Sequence, residues 1–483
     1  MNTKSILAIA LSLISVLSCL KCRSSLPPPV QKSEDIIVFQ NVNLVPMTNE
    51  KIVKGQTVLV RGKRIIEIGP SKRIAVPQNA RVIDGTGAYL MPGLADMHMH
   101  TRDDWNEWLS DWPVSPLYLY LANGVTTIRC FNPTGDSFGY VLRWKDKINS
   151  GQLIGPTIYT CGPTLYGPVK NPKKIVLEQK AQGFDFIKLY SFLSKDEFHE
   201  AMIAAKQAGM YTAGHIPFQV GLEGVLSEGM DEIAHIEELS FEFVDFYRNK
   251  GLTGREWMPY VIKTAYQHVK PYFDLNMEEL DEKFGVLVSS VVTKVHSANV
   301  PVCTTLFLDE VIVEKLYEPE QFLSKPKNRY LPRKYLAAVR QGREKHQMQF
   351  RGGEDFAPFK RTIDRILLKY LKEAEVLFVL GTDAGTGWMG LVPGFSIHDE
   401  LRILTENGFT PYEAIKTGTV NAAIVVEEMN GNGDFGTIEI GKRADLILVE
   451  DNPLEDVTNI KNILGVMASG RWYNKTMLQK FID

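Results

Sequence analysis

The stretch LADMHMH, residues 94–100, sets two of the chain's nine histidines two positions apart, directly after a Met-Pro-Gly turn. Residues i and i+2 of a β-strand point to the same side, so His98 and His100 are expected side by side at the end of one strand. Such a pair has metal-ligand geometry, although core and surface pairs at this spacing also occur. Its meaning depends on what the rest of the chain brings to the same place.

Working outward, short β runs alternate with helical segments: VTTIRC (125–130), TIYTCG (157–162), FIKLY (186–190), YTAGHI (211–216), EIAHIE (232–237), VPVCTTLF (300–307) and VLFVLGTDA (376–384). With LADMHMH these make eight, and eight β runs joined by helices predict an α/β fold, a (β/α)8 TIM barrel. The connectors read as helices. In SKDEFHEAMIAAKQAG, Ser194 is an expected N-cap and Gly209 a C-terminal stop. Two connections, 238–299 and 308–375, are unusually long and leave from the strand ends that form a barrel's active face, which makes them candidate lids. The first is crowded with aromatics (SFEFVDFYRNKGLTGREWMPY, 240–260), which suit either a hydrophobic lid or helices packed on the exterior.

The two ends of the chain have a different rhythm. DIIVFQNVNLV, GQTVLV, RGKRIIEIG and ARVIDGTG alternate with Gly and Asn turn signals, and similar strands return in GTIEIGKRADLILVED and ILGVMASGRWY. Two half-sheets so placed can complete one another, so residues 35–91 and 430–483 are expected to form a composite β-sandwich flanking a barrel at 92–429. Ahead of them, Lys4 and the apolar run 6–17 are too short for a membrane span and read as an export signal over residues 1–19. Val16-Leu17-Ser18-Cys19 resembles a bacterial lipobox. A lipidated Cys19 would anchor an exported, periplasmic protein to the membrane, with the Pro-rich 20–34 as a tether; plain cleavage with release is the alternative. Cys130, Cys161 and Cys303 match no zinc knuckle or closed disulfide framework and read as buried core residues.

With 54 Lys and Arg against 57 Asp and Glu, the formal net charge is -3. No basic field exists to attract phosphate backbones, so nucleic acid is not an expected partner. A small-molecule or dipeptide substrate is expected instead, with a homo-oligomer left open.

On the eight runs the polar residues fall at matching positions. His98 and His100 end the first, Lys188 sits in the fourth, His215 ends the fifth, His235 lies late in the sixth and Asp383 ends the eighth. Taken singly, His215 and His235 could be hydrogen-bonded core histidines, and Asp383 could cap a helix or shape a turn. Lys188 is harder to dismiss, because a lysine within FDFIKLY is costly unless paired or chemically changed. Taken jointly at barrel strand ends, the six point to a metal centre.

The ordered set MPGLADMHMH, ANGVTTIRC, GFDFIKLY, TAGHI, IAHIEEL, LGTDAG, PGFSIHDEL, TPYEAIKTGTVNAA and GTIEIGKRADLILVEDNPL resembles the amidohydrolase superfamily from about residue 35 onward. The position of Lys188 is similar to that of the binuclear subgroup, in the branch with imidazolonepropionase-like and prolidase-like (Xaa-Pro dipeptidase) enzymes. That resemblance implies two divalent metal ions, zinc by default with manganese, iron or cobalt also suited. His98, His100 and Asp383 would hold the buried ion and His215 and His235 the outer one, with a carboxylated Lys188 bridging them. A bridging hydroxide would then attack the scissile carbonyl, Asp383 acting as proton shuttle. Relatives often carry an aspartate after the arginine of the second run, where this chain has Cys130 and Phe131. Tyr190 is a candidate substrate contact or a packing residue, Arg129 a weak candidate for a substrate carboxylate, and His398 a helix-surface or supporting residue.

The function expected is hydrolysis of the C-N bond of a dipeptide, N-acyl amino acid or cyclic amide. The same centre could act on esters, lactones or phosphotriesters, and a non-catalytic exported binding lipoprotein is a third reading.

Overall fold

The computed structural model describes residues 35–102, 112–133, 139–337, 339, 343–344, 355–385 and 389–483. The export signal, tether and Cys19 expected in the first 34 residues lie outside the described residues. No described helix is long and apolar enough to cross a membrane.

Five strands come from the N-terminal part: β1 (Ile36–Leu44), β2 (Val53–Arg61), β3 (Arg64–Pro70), β4 (Arg81–Asp84) and β5 (Tyr89–Pro92). Eight short parallel strands follow: β6 (Leu94–Met99), β7 (Val125–Cys130), β8 (Thr157–Thr160), β9 (Phe186–Leu189), β10 (Tyr211–Gly214), β11 (Glu232–Ile233), β12 (Val302–Cys303) and β13 (Phe378–Val379). The chain ends with β14 (Leu446–Val449), β15 (Ile463–Ala468) and β16 (Arg471–Asn474), then a helix at Lys475–Ile482.

The terminal strands form one continuous eight-stranded sheet in the order β16-β15-β14-β5-β1-β2-β3, with β4 beside β1. The two ends of the chain meet where β14 pairs antiparallel with β5, Ile447 opposite Met91. Where the sequence suggests a β-sandwich, the strands of both halves are hydrogen-bonded into a single sheet and share one apolar cluster. Phe39 packs edge-on to Trp472 at 5.1 Å, and the Ile65 N–H reaches Lys442 O. Burying the apolar faces of both halves in one cluster is what joins them, at about 25 cal/mol per Å² of apolar surface removed from water.

The parallel strands lie in two sheets, β6-β7-β8 and β13-β12-β11-β10-β9. Single parallel bridges join them at both seams, Cys161 with Phe186 and Met99 with Ala384. The last three ladders are shorter than the sequence runs that predicted them. In EIAHIE pairing stops at Ile233; His235 is still extended (φ -147°, ψ 131°) but heads a 3-10 turn at Ile236–Phe241. The polar ends of these runs keep isolated backbone bonds, such as the Thr305 N–H to Gly381 O at 3.2 Å and the Asp383 N–H to His98 O at 2.7 Å, in place of a regular ladder.

Connecting helices cap as their sequences ask. Ser194 and Glu197 close a reciprocal capping box on Lys195–Ala208, which ends at Gly209 in the left-handed conformation. The first long connection holds helices Trp257–Val269 and Met277–Ala298, and the second holds Phe307–Tyr317, Pro319–Ser324 and Phe356–Glu373. The two insertions grip one another. Lys360 Nζ reaches Asp364 at 2.6 Å, Glu237 at 3.0 Å and Asp309 at 3.4 Å, and Phe359 packs on Phe273 at 4.5 Å.

Candidate metal centre

All six residues singled out in the sequence lie at or just beyond the C-terminal ends of the parallel strands. The structure brings them together in a chain of contacts. Ring centroids of His98 and His235 are 4.3 Å apart, and those of His215 and His235 4.7 Å. His100 Nε2 is 2.6 Å from Asp383 Oδ1, with His98 Nε2 3.4 Å from the same oxygen. One donor atom each from His98, His235 and Asp383 falls within 4.8 Å of the others.

The imidazoles are oriented from behind. His98 donates from Nδ1 to Ala234 O at 3.0 Å, His215 from Nδ1 to Glu238 Oε1 at 2.6 Å, and His235 Nδ1 pairs with Thr305 Oγ1 at 3.0 Å. Each bond fixes a ring, and those to Ala234 O and Glu238 place the proton on Nδ1 and leave Nε2 of His98 and His215 as the lone pair, the usual support for a metal-binding histidine. Glu238 is itself held by the Ile216 N–H at 3.1 Å. Burial pushes its carboxyl up to about 7, against the pull of Ile216, Lys188 and Lys360.

Asp383 takes a left-handed backbone, φ 58°, uncommon for a residue with a side chain. Two bonds to one acceptor hold it there: His98 O receives the Asp383 N–H at 2.7 Å and the Thr382 N–H at 3.1 Å. Asp96, in the same LADMHMH stretch, clamps the turn by accepting from the Thr382 hydroxyl at 2.6 Å, the Thr382 N–H at 3.1 Å and the His98 N–H at 3.3 Å. Strain of about 1–3 kcal/mol is tolerated at such positions when the surroundings over-determine them.

Burial is the largest influence on every histidine of the inner cluster. It holds His98, His215 and His235 well below the ordinary imidazole range, so they are neutral ligand-competent bases. Burial alone would raise Asp383, but His100, His235 and Lys188 together outweigh it and keep the carboxyl below its usual value. Lys188 is 2% exposed, and burial brings its amine down to about 8 despite Asp383 nearby. Among the described residues its Nζ has no hydrogen-bond partner, and it stands 4.6 Å over the Phe131 ring. His98 Nε2 and His100 Nδ1 are likewise buried without a hydrogen bond. The unspent lone pair of the neutral His98 imidazole, beside an ionised carboxylate, suits a divalent cation, so the residues fit the metal that the sequence implies.

Four supporting residues escaped the sequence reading: Asp96, Glu238, Thr305 and Phe131. Phe131 stacks on His98 at 4.0 Å with only 12° between the planes. Arg129 is corrected: it is fully buried, fork-paired with Glu232 (Nη1 to Oε2 2.7 Å), donates from Nε to Met97 O at 2.8 Å, and has no surface for a substrate. His398 is buried within Ser396–Glu406, not on that helix's surface. Tyr190 is half-buried, its ring 4.2 Å from His215 and stacked on Tyr166 at 4.4 Å.

Comparison with known proteins adds likenesses in sequence and in fold. The model of the Amidohydrolase family matches residues 354–473. Ochratoxinase of Aspergillus niger is 24% identical over 394 residues, 76% of this chain and 71% of that protein. Among solved structures, a Xaa-Pro dipeptidase with bound methionine superposes with a TM-score of 0.60 at 20% identity, covering 91% of this chain and 100% of its own. The A. niger ochratoxinase crystal structure gives 0.60 at 17% identity, covering 92% and 96%. These last two likenesses are of fold. The family match over residues 354–473 and the relative in sequence support an amidohydrolase-superfamily hydrolase acting on carbon–nitrogen bonds.

Proposed function

We propose that the protein hydrolyses the amide bond of a dipeptide, N-acyl amino acid or cyclic amide, using two divalent ions, zinc by default, held by His98, His100, Lys188, His215, His235 and Asp383. The observation that carries this reading is the set of buried imidazoles whose Nδ1 atoms are tied from behind while their Nε2 atoms are left free beside Asp383. The likenesses to an ochratoxinase in sequence and to a Xaa-Pro dipeptidase in fold support an amide as the bond cleaved. The two seam bridges support a further reading, that the eight parallel strands close into a (β/α)8 barrel with residues 35–91 and 430–483 as its flanking sheet.

When bound, the ions would polarise the scissile carbonyl and make a nearby water acidic. The chain's own groups do the rest. A carbamate on Lys188, formed by addition of carbon dioxide to the neutral amine, would replace a repelling cation with an anionic ligand. His215 and His235, fixed by Glu238 and Thr305, hold their rings still. Asp383, ionised and aimed into the cluster, accepts a proton from the attacking water and returns it to the leaving nitrogen.

The test is a panel of dipeptides, N-acyl amino acids and cyclic amides beside matched esters, lactones and a phosphotriester. Amide turnover that disappears with a chelator and returns on adding zinc is expected. Turnover confined to the oxygen esters, or none on any compound after reconstitution, contradicts the proposal.

A further inference from the structure

Beyond His215 a strip of aromatic side chains leads from the cluster to solvent. Leu165 bridges Leu189, and the Tyr190 N–H donates to Leu165 O at 3.1 Å. This pairing sets Tyr166 beside Tyr190, their rings 4.4 Å apart and 20° from parallel. Buried Phe192 supports the pair from below, edge-on to Tyr166 at 5.1 Å and 5.3 Å from Tyr190. Phe192 in turn meets Phe218, on which Phe241, Phe246 and Trp257 of the first insertion converge. The aromatic run 240–260 is thus the backing of this strip.

Arg255, brought in by the same insertion, ends it. Its side chain is exposed, its Nε–H donates to Tyr166 Oη at 3.1 Å, and its Cζ lies 5.8 Å from the Tyr166 ring. The adjacent carboxylate, Glu256, is already used: it accepts from the Thr253 N–H and hydroxyl, each at 3.0 Å. Among the described residues Arg255 makes no ion pair. A guanidinium anchored through Nε keeps its two terminal nitrogens for a planar, forked partner, and a carboxylate matches that fork.

We propose that Arg255 is a specificity-determining residue that binds a carboxylate of the substrate, while the Tyr190–Tyr166 stack carries the apolar part between that carboxylate and the scissile bond. The substrate class is then an amide with an anionic end and a flat or aliphatic body. This rests on the hydrolase reading above and adds to it the group that recognises charge.

The experiment is a binding comparison that needs no turnover. The metal-loaded protein and its Arg255→Met and Arg255→Lys variants are titrated with 3-phenylpropionate and with 3-phenylpropanol, neither of which has a bond to hydrolyse. The acid is expected to bind wild type better than the alcohol. Arg255→Met should weaken the acid about tenfold, the scale of one charge-assisted contact, leave the alcohol unchanged, and keep the melting temperature because the side chain is exposed. Arg255→Lys should retain part of the preference. Equal binding of the acid to wild type and Arg255→Met, an equal loss for both compounds, or no binding of the acid to wild type overturns the proposal. Loss of the acid preference in a protein that turns over no amide would instead overturn the hydrolase reading and leave Arg255 as assigned.

Discussion

Asp383→Asn is expected to lower kcat by about 10²- to 10⁴-fold, the range typical of removing a positioned acid–base group, without unfolding the protein. Asparagine is the informative replacement because position 383 has φ 58°, a conformation that Asp and Asn adopt more readily than other residues with a Cβ. Alanine would add backbone strain to the loss of the carboxylate. The amide keeps the shape of the side chain and an oxygen for His100, whose Nε2 now lies 2.6 Å from Asp383 Oδ1. What it cannot do is take up a proton. Steady-state kinetics on the best amide substrate, with a melting curve as control, measures the effect. A kcat within tenfold of wild type would remove Asp383 from proton transfer and leave it a ligand only.

The largest effect on stability is expected far from any substrate. Arg129→Met should cost about 3–5 kcal/mol, the usual penalty for breaking a buried ion pair, because it leaves the Glu232 carboxylate without its cation in a site where both side chains are fully buried. Tyr211 Oη, 3.2 Å from Glu232 Oε2, is too little to replace a bidentate guanidinium. The double variant Arg129→Met with Glu232→Leu should recover most of the loss, since replacing both partners of such a pair by apolar groups is often neutral. Urea titrations read both changes. A loss below about 1 kcal/mol for the single variant would mean that water or another group reaches Glu232, contrary to its burial. The guanidinium also lies 4.7 Å from the Phe131 ring, which in turn stacks on His98, so it supports the cluster from beneath.

Much of this was legible in the chain because the chemistry sits where local periodicity can be read. Short β runs with a polar residue at the C-terminal end are a one-dimensional signal, and His98, His100, Lys188, His215, His235 and Asp383 all carry it. The supporting groups do not. Asp96 lies inside the opening stretch, yet its function is to hold Thr382, 286 positions away in sequence. His98 is oriented by the backbone oxygen of Ala234, which no side-chain pattern reveals. Glu238 and Thr305 follow strands by a few residues and look like ordinary turn residues until the fold sets them behind His215 and His235. Arg129 was misjudged because an arginine at a strand end reads the same whether it faces substrate or a buried carboxylate on another strand. The aromatic insertion was ambiguous for a related reason: composition shows that the rings are buried, whereas only their packing on Phe218 and Phe192 shows that they back the Tyr190–Tyr166 strip. Strand lengths were overestimated where isolated backbone bonds replace the regular ladder, as at Asp383, whose N–H goes to His98 O.

The measurement that bears most directly on the metal centre is the metal content per chain, by elemental mass spectrometry, of wild type and Lys188→Ala after equal exposure to zinc and bicarbonate. Lys188 is the discriminating residue because a buried amine without a hydrogen-bond partner is otherwise an uncompensated cost. About two ions in wild type, falling to one or fewer in the variant, is the expected result for a binuclear site bridged at Lys188. Two ions in both proteins would contradict the bridging role, and none in wild type would contradict the metal centre itself.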